Sequence, residues 1–319
     1  MKLFLAHFAA YALALVSTLA QAQAYPNKAI KFIIPFPAGS ATDNTGRIVG
    51  QAISESLGVP VVIENKPGAN GILGAEAVKA APADGYTFLV TTNTTQAANL
   101  SLYQKLSYDP VKDFTPVVKI GVTGFMLITQ LNFPAKNLPE FIAHAKANAG
   151  KLSYGAGSSG SHVSGAMFAT MAGIDVTTVP YKGIPQAITD VLGGNLSYVF
   201  ADIGNGMAQL RGGKVKTFGT TLPRASELAP GIAPIGDTLP GYGLGAWFAL
   251  MMPAHAPREA VLKINQAVQA ALAKADVRQK LLNAGIDVDT GSPEELARLI
   301  QSEIALWAKQ IKAAGIKPE

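Results

Sequence analysis

Short apolar strands alternate with amphipathic helices in two separate halves of the chain, and this alternation restricts the possible folds more than any other feature. In the first half, an apolar run at 29–35 precedes a helical pattern that stops at Gly58. Strand patterns at 59–65 and 86–92 follow, with a helix through Ala75 to Ala80 between them. A βαβαβ order of this kind predicts a parallel sheet covered by helices.

The same pattern recurs in the second half of the sequence. Strand patterns lie at 151–157, 176–181 and 196–202, and the helical patterns between them run from about His162 to Met171 and from Ala187 to Leu192. Two such units predict two α/β domains. Because identity between the halves is slight, the repetition is one of architecture and does not establish a duplication.

Two further apolar segments, 116–130 and 244–253, connect the halves and both have the pattern of a strand. Helical patterns then run from Arg258 to Ala273, from Val277 to Ala284 and from Pro293 to Ala313. This C-terminal block most simply returns to the first domain. The expected organisation is lobe 1 at 25–120 plus 250–319, lobe 2 at 121–249, and a two-strand hinge beside a ligand-binding cleft.

Residues 1–24 have the pattern of a secretory signal. Lys2 precedes an apolar stretch, and Ala22 and Ala24 flank a cleavage site after which Tyr25 would begin the mature chain. A membrane anchor is the alternative, but the apolar stretch is short for a span of about 20 residues. We therefore expect a soluble protein exported to the periplasm through the Sec pathway.

Composition excludes several classes of protein. The chain has no cysteine, which excludes disulfides and cysteine-ligated metals. Its net charge of +5, which becomes +4 without Lys2, comes from only 15% charged residues with no basic stripe, so no nucleic-acid partner is expected. No His/Asp/Glu cluster has metal-ligand spacing, and neither a metal nor another cofactor is expected.

Two turns between a strand and a helix are suited to an anion, because such turns expose N–H groups at the positive end of a helix dipole. In the first, Asp43 is expected to cap neighbouring N–H groups and brace the turn, although an ordinary capped turn fits the pattern about as well. Its candidate ligand-binding residues are Phe36, Ala38, Gly39, Ser40, Thr42 and Asp43.

The second turn, 155–162, supplies the candidates Ser158, Ser159, Ser161 and His162. It also matches the G-x-G-x-x-G pattern of dinucleotide sites, with Asp175 20 residues after Gly155. That interpretation is rejected because Asp175 precedes its strand and would lie at the wrong end of the sheet. Two facing anion sites instead predict a ligand with at least one carboxylate.

Other strand ends supply weaker candidates, for which plain turn chemistry is the alternative. Polar loops are expected at 93–99 and at 202–206. Trp247 and Phe248 are expected either to wall the cleft or to belong to the core. The candidate residues are Asn93, Thr94, Tyr181, Lys182, Asp202 and Trp247.

No catalytic residue is predicted, because the sequence offers no general base near a candidate nucleophile. His144 and His255 have the setting of surface residues, and Ser158, Ser159 and Ser161 are not centred in a G-x-S-x-G elbow. Two alternatives to a transport receptor remain: a receptor for a membrane sensor, and an exported hydrolase that uses Ser159 or Ser161.

Several segments together resemble the Bug family of periplasmic solute-binding proteins of tripartite tricarboxylate transporters. They are YPNKAIKFIIPFPAGSATD, VIENKPGANGILGAEAVKAAPADGYTFLV, YGAGSSGSH, VPYKGIPQAITDVLGGNLSYVFAD and WFALMMP. The resemblance implies a monomeric, two-lobed periplasmic-binding fold of type II-like arrangement. It also implies that a small organic anion is delivered to a permease of one large and one small integral membrane subunit.

In this family, carboxylates are held largely by backbone amides, hydroxyls and waters of two facing loops. The matching segments here are Ala38–Asp43 and Ser158–His162. The sequence departs from the family pattern at Ala38, Ser40 and Gln96. These departures leave the ligand preference open.

Overall fold

Two mixed β-sheets with flanking helices make up residues 25–319, the part of the chain that this computed structural model describes. The predicted signal at 1–24 lies outside the described residues. The strands are β1 (Ile30–Ile34), β2 (Val61–Asn65), β3 (Thr87–Thr92), β4 (Phe114–Thr123), β5 (Phe125–Gln130), β6 (Leu152–Ala156), β7 (Val176–Pro180), β8 (Tyr198–Asp202), β9 (Val215–Thr220), β10 (Ala246–Pro253) and β11 (Asp287–Val288).

Ten α-helices are found in the same range. They are α1 (Ala41–Leu57), α2 (Ile72–Lys79), α3 (Asn99–Leu102), α4 (Leu138–Ala147), α5 (Ser159–Ala172), α6 (Ile184–Gly193), α7 (Ile203–Arg211), α8 (Arg258–Leu272), α9 (Ala275–Asn283) and α10 (Pro293–Ala313). None of the helices between residues 25 and 319 is both long and apolar enough to cross a membrane.

The first sheet has the strand order β11-β4-β10-β3-β1-β2. Strand β1 pairs in parallel with β2 and β3, as the βαβαβ pattern predicts. Strand β10 returns antiparallel between β3 and β4. This sheet and its helices are called the first lobe.

The second sheet has the order β7-β6-β8-β5-β9, and with its helices it forms the second lobe. Strand β6 is parallel to β7 and β8, whereas β5 runs antiparallel to β8 and β9. The predicted α/β fold class with two sheets is confirmed. Both sheets are mixed because strands that connect the lobes or return to them add antiparallel neighbours to the parallel units.

The segment 116–130, expected as one strand, consists of two strands in different sheets. Strand β4 ends at Thr123, Gly124 intervenes, and β5 begins in the second sheet. A side chain at Gly124 would lie 2.7 Å from Leu222 Cδ2, so this bend is tightly packed. The return strand β10 starts at Ala246, which pairs with Thr123. The outgoing and returning chains therefore lie side by side.

Helix α10 contacts both lobes. Its Leu296 and Ile300 pack with the core beside β10, while Trp307 and Ile311 belong to the apolar cluster of the second lobe. At 21 residues the helix is about 30 Å long, which is enough to reach across two packed lobes. The C-terminal block thus returns to the first lobe as expected and also extends to the second.

Two segments expected as polar loops are helical. Residues 94–98 form one π-helical turn that leads into α3, and 203–211 form α7. Gly204 and Gly206 give α7 the sequence pattern of a turn. Close packing explains why glycine occupies these two positions. A side chain at Gly204 would overlap the carbonyl of Ala284, and one at Gly206 would meet Met126.

Candidate functional site

A narrow pocket lies where strand ends from both lobes face each other. It is lined by Phe36, Ser40, Ala41, Thr42, Thr92, Asn93, Thr94, Phe125, Gly157, Ser158, Ile184, Asp202, Ala246 and Phe248. The centre of a water molecule can reach about 30 Å³ of it. That is room for roughly two waters, since one needs about 10–15 Å³. A ligand larger than this does not fit the pocket in the present conformation.

Four helices begin at this pocket. From the first lobe, Ala41 and Thr42 are the first residues of α1. From the second lobe come Ser158 before α5, Ile184 at the start of α6 and Asp202 before α7. Each N-terminus carries unpaired N–H groups and partial positive charge. The sequence predicted two of these N-termini, and the structure adds those of α6 and α7.

The first predicted turn keeps donors available to a ligand. Ser40 caps α1 by accepting the N–H of Asp43 at 3.2 Å, and the N–H of Gly39 donates to Asp43 Oδ2 at 3.0 Å. The N–H groups of Ala41 and Thr42, in the first turn of α1, have no partner within the helix. These two N–H groups and the Ser40 and Thr42 hydroxyls can donate to an anion.

Asp43 braces this turn and does not line the pocket. Its Oδ2 also accepts from Arg47 Nε and its Oδ1 from Asn65 Nδ2, both at 2.9 Å. Burial alone would raise the pKa of Asp43, but the hydrogen bonds from Arg47, Asn65 and Gly39 outweigh it and lower the pKa. The carboxylate therefore stays charged and is directed to its own loop.

The second predicted turn uses much of its donor capacity internally. Ser161 Oγ accepts the N–H groups of Gly157 and Ser158 at 2.9 and 3.0 Å, and Ser158 Oγ accepts the N–H of Ser161. This capping box fixes the start of α5. Ser161 thus acts as a structural cap and does not line the pocket. Ser158 does line the pocket.

Asn93 presents an unused donor to the pocket. Its side chain is 1% exposed, and its Oδ1 accepts the N–H of Trp247 at 3.4 Å. Its Nδ2 is buried and has no hydrogen-bond partner within residues 25–319. A buried amide without a partner is costly, and a ligand oxygen would satisfy it.

Asp202 is the one carboxyl group among the pocket-lining residues of the described chain. It is only 9% exposed, and burial raises its pKa to about 7. Although it occupies the N-cap of α7, its side chain makes no capping hydrogen bond there. The carboxyl group is therefore available to a ligand.

Trp247 does not line the pocket and lies in the core cluster beside β10, one of the two positions expected for it. Its Nε1 donates to Glu303 Oε2 of α10 at 3.0 Å, on the other face of β10. Its neighbours Ala246 and Phe248 line the pocket instead. Successive side chains of a strand point to opposite faces, so the aromatic wall comes from the next residue.

Ser159 joins the lobes and has no general base beside it. It accepts from Asn70 Nδ2 at 2.7 Å and donates to Asn99 Oδ1 at 3.3 Å, and both partners belong to the first lobe. Both hydroxyls that a serine hydrolase could have used, on Ser159 and Ser161, are therefore committed to structural hydrogen bonds. Neither hydroxyl has a histidine or carboxylate as a hydrogen-bond partner in the described part of the chain.

A second, larger cavity of about 740 Å³ lies behind Ser158. His162, Tyr181 and Lys182 line this cavity and not the pocket, whereas Ser158 lines both. Burial lowers the pKa of His162 against a smaller opposing effect of Glu319. Tyr181 is tied to Asp190 by a 2.7 Å hydrogen bond. Ala38 and Gly39 are exposed and line neither space.

Seven of the sixteen candidates thus line the pocket: Phe36, Ser40, Thr42, Asn93, Thr94, Ser158 and Asp202. The sequence analysis named Phe248 as a possible wall of the cleft, and it did not single out Ala41, Thr92, Phe125, Gly157, Ile184 and Ala246. Strand alternation next to Trp247 could have indicated Ala246, whereas nothing local distinguishes Ile184. Within 25–319, no three His, Asp or Glu side chains are placed to hold a metal ion.

Comparison with known proteins gives one family. The family model described as the tripartite tricarboxylate transporter family receptor matches residues 45–316. The protein BugT of Bordetella pertussis is 30% identical over 303 residues, which cover 93% of this chain and 92% of BugT. A protein from the tcbD-tcbE intergenic region of Pseudomonas sp. strain P51 is 31% identical over 311 residues, or 95% of this chain and 92% of that protein.

Solved structures agree with this match. Rpa4515 of R. palustris, determined with adipate, has a TM-score of 0.90 at 31% identity and covers 92% of this chain and 100% of its own. The periplasmic binding protein BugD gives 0.88 at 29% identity, with 92% and 100% coverage. MatC from Rhodopseudomonas palustris with bound malate gives 0.84 at 33% identity, with 90% and 100% coverage.

Proposed function

Because the chain belongs to the tripartite tricarboxylate transporter receptor family, whose members are solute-binding receptors and not enzymes, we propose that it captures a small organic carboxylate between its lobes and delivers it to a tripartite transporter. The ligand would be a dicarboxylate or tricarboxylate, an acidic amino acid or an aromatic carboxylate.

The observation that carries this proposal is the convergence of four helix N-termini on a pocket with no cationic side chain. Of the residues that line the pocket in the described part of the chain, none is lysine, arginine or histidine. Hydroxyls of Ser40, Thr42 and Thr92, with the amide of Asn93, add uncharged donors. Hydrogen bonds to an ionised carboxylate are about twice as strong as neutral ones, so such donors can hold it without a salt bridge.

The pocket also has an apolar wall that fits the hydrocarbon part of such a ligand. Phe36, Phe125 and Phe248 contribute rings, and Ile184 adds an aliphatic side chain. Adipate in the R. palustris protein and malate in MatC are both dicarboxylates with a short carbon chain. Their chemistry supports the same class of ligand here.

Opening and closing of the lobes would admit and trap the ligand. The proposed rigid units are 25–120 with 250–319, and 121–249, turning about the connecting strands. Contacts that join the lobes in the closed form include the Asn70–Ser159 hydrogen bond and the approach of Gly183 to Pro37. A ligand that contacts both lobes shifts the population toward this form, since only differential affinity moves such an equilibrium.

The remaining parts of the proposal concern location and partners. The signal pattern at 1–24 would export the chain to the periplasm, where it acts as a monomer. Its partners would be the large and small membrane subunits of a permease. Reconstituted permease that takes up ligand only when the receptor is present would support delivery. Binding without receptor-dependent uptake would favour the sensor alternative.

The binding test is a thermal-denaturation screen at pH 6.5 against monocarboxylates, dicarboxylates, tricarboxylates and acidic amino acids. A ligand at 100 times its Kd should stabilise the protein by about 2.7 kcal/mol. Thr42→Val removes a pocket hydroxyl and should weaken binding about tenfold. Thr189→Val, the same change on an exposed part of α6, should not. Stabilisation by no carboxylate would contradict the proposal.

A further inference from the structure

We infer that Asp202 meets the ligand as a neutral carboxylic acid and donates its O–H to a ligand carboxylate, so that capture takes up a proton from solvent wherever Asp202 is ionised in the free protein. This inference rests on the proposed function and makes Asp202 a residue that determines specificity for carboxylates.

The first step is the placement of Asp202. It is the last residue of β8 and the N-cap of α7, and it faces the pocket from the second lobe. An aspartate at an N-cap usually accepts an N–H from the first helical turn. Asp202 does not, because its carboxyl group makes no capping hydrogen bond. Apart from a hydrogen bond with its own backbone N–H, its carboxyl oxygen atoms are left for a ligand.

The second step is that no cation compensates Asp202. In the neighbouring strands, β5 places Phe125 opposite it, and Gly157 and Ser158 follow β6. Charged and titratable groups on the surrounding elements are engaged or lie elsewhere. Two of these groups are on helices of the second lobe: His162 of α5 lines the second cavity, and Asp190 of α6 accepts a hydrogen bond from Tyr181. Arg211 lies at the far end of α7, and Lys216 of β9 donates to the carbonyl oxygen of Phe133. In the first lobe, Asp43 of α1 accepts a hydrogen bond from Arg47.

The third step is a conflict of charge. The pocket is built for an anion, yet an ionised Asp202 would place a second negative charge beside it in a buried site. Like charges at close range disfavour ionisation of one partner. Since burial already raises the pKa of Asp202 to about 7, a bound carboxylate would raise that pKa further. A carboxylic acid kept neutral in this way serves as a hydrogen-bond donor.

The coupling between proton binding and ligand binding determines whether the affinity for the ligand rises or falls with pH. Below the pKa of the unliganded protein, Asp202 is already protonated and affinity is independent of pH. Above it, binding must first take up a proton, so affinity falls by about tenfold per pH unit. A ligand that offered Asp202 an ammonium group or an amide N–H would behave in the opposite way, because it requires the ionised form.

The test uses adipate and malate, whose carboxylates are ionised throughout the range, in calorimetric titrations from pH 6.5 to 9. In the wild type, affinity should fall by at least tenfold between pH 7.5 and 9, with uptake approaching one proton in buffers of different ionisation enthalpy. Asp202→Asn keeps an N–H donor, and its affinity for each probe should change by less than about threefold across this pH range. Asp276→Asn, an exposed control on α9, should retain the wild-type profile.

The outcomes separate the two proposals. Binding with no proton uptake by the wild type, or affinity that rises with pH, would overturn the inference and leave the proposed function standing. Binding of neither probe at any pH would count against the proposed ligand class, and this inference with it. Because proton uptake is measured on the wild type, the test remains decisive if Asp202→Asn does not fold.

Discussion

Asp43 lies at the start of an anion-suited helix without opposing an anion, because its charge is directed elsewhere. Its carboxylate accepts from Gly39, Arg47 and Asn65. The sequence analysis expected this bracing role because a carboxylate pointing at an anion would repel it. Hydrogen bonds to a charged group contribute about 1.5–3 kcal/mol each when both partners are buried, and less when one is half-exposed like Arg47.

We expect Asp43→Asn to lower the free energy of unfolding by about 1–3 kcal/mol at pH 7. The amide group cannot accept from all three donors. Because the pKa of Asp43 is lowered in the folded state, its stabilisation is present above the pKa of the unfolded chain and is lost as pH falls through the folded pKa. Chemical denaturation of the wild type and the variant at pH 7 and pH 3 measures the difference in the free energy of unfolding.

Asp175→Asn, at an exposed position, provides the matched control and should leave stability nearly unchanged. A deficit of the Asp43 variant that is equally large at pH 3 would contradict the assigned role of the charge.

Asp202 and Trp247 show what single residues reveal before the fold is known. The sequence placed Asp202 at a strand end, which is enough to bring it to the ligand edge of a parallel sheet. Trp247 lies within a strand that is buried on both faces, so its sequence does not indicate which face meets the pocket. The face on which Trp247 lies is determined by the pairing of β10 with β3 and β4 and by the packing of α10.

At the scale of elements, the anion site could be predicted in part. The sequence analysis recognised the turns before α1 and α5, although it assigned Ser40 and Ser158 to the ligand and not to the N-caps that they occupy. Helix α7 was not recognised, because Gly204 and Gly206 have low helix propensity. Glycine is required at these positions by close contacts with Ala284 and Met126. Such contacts are tertiary and leave no local pattern.

The approach of α6 to the first lobe leads to a prediction. A methyl group at Gly183 would lie 2.6 Å from Pro37 Cδ across the lobe interface. Gly183→Ala should therefore oppose closure and weaken carboxylate binding by at least about tenfold, since two conformations of a protein typically differ by only a few kcal/mol. Calorimetry with the best carboxylate gives the affinity, and small-angle scattering gives the radius of gyration with and without ligand.

Gly193→Ala, at the other end of the same helix, is the control because a methyl group there meets only Asn195 at 3.5 Å. It should bind like the wild type. If Gly183→Ala binds equally well and becomes as compact with ligand, the lobes do not close through this contact.

At the scale of the whole molecule, charge contributes little to recognition. The full sequence carries a net charge of only +5 at pH 7, and no basic side chain lines the pocket in the described part of the chain. Buried hydrogen bonds and helix dipoles are screened by salt far less than exposed charges are.

We therefore expect carboxylate affinity at pH 6.5 to change by less than about threefold between 0.05 and 0.5 M NaCl. Lys182→Gln should have a similarly small effect, since Lys182 lines the second cavity. Calorimetry at both salt concentrations measures this. A loss of more than tenfold in either experiment would indicate that a basic side chain binds the ligand directly.

The side-by-side connections between the lobes also make the second lobe an insertion in the architectural sense. Thr123 and Ala246 are paired residues on adjacent antiparallel strands, and everything between them belongs to the other lobe or to its links. Antiparallel strands can be joined by a two-residue turn such as Asn-Gly. A gene in which this turn replaces 124–245 would encode a continuous first lobe. Different second lobes could also be exchanged at the same two points, which would change the ligand specificity while the sheet of the first lobe is kept.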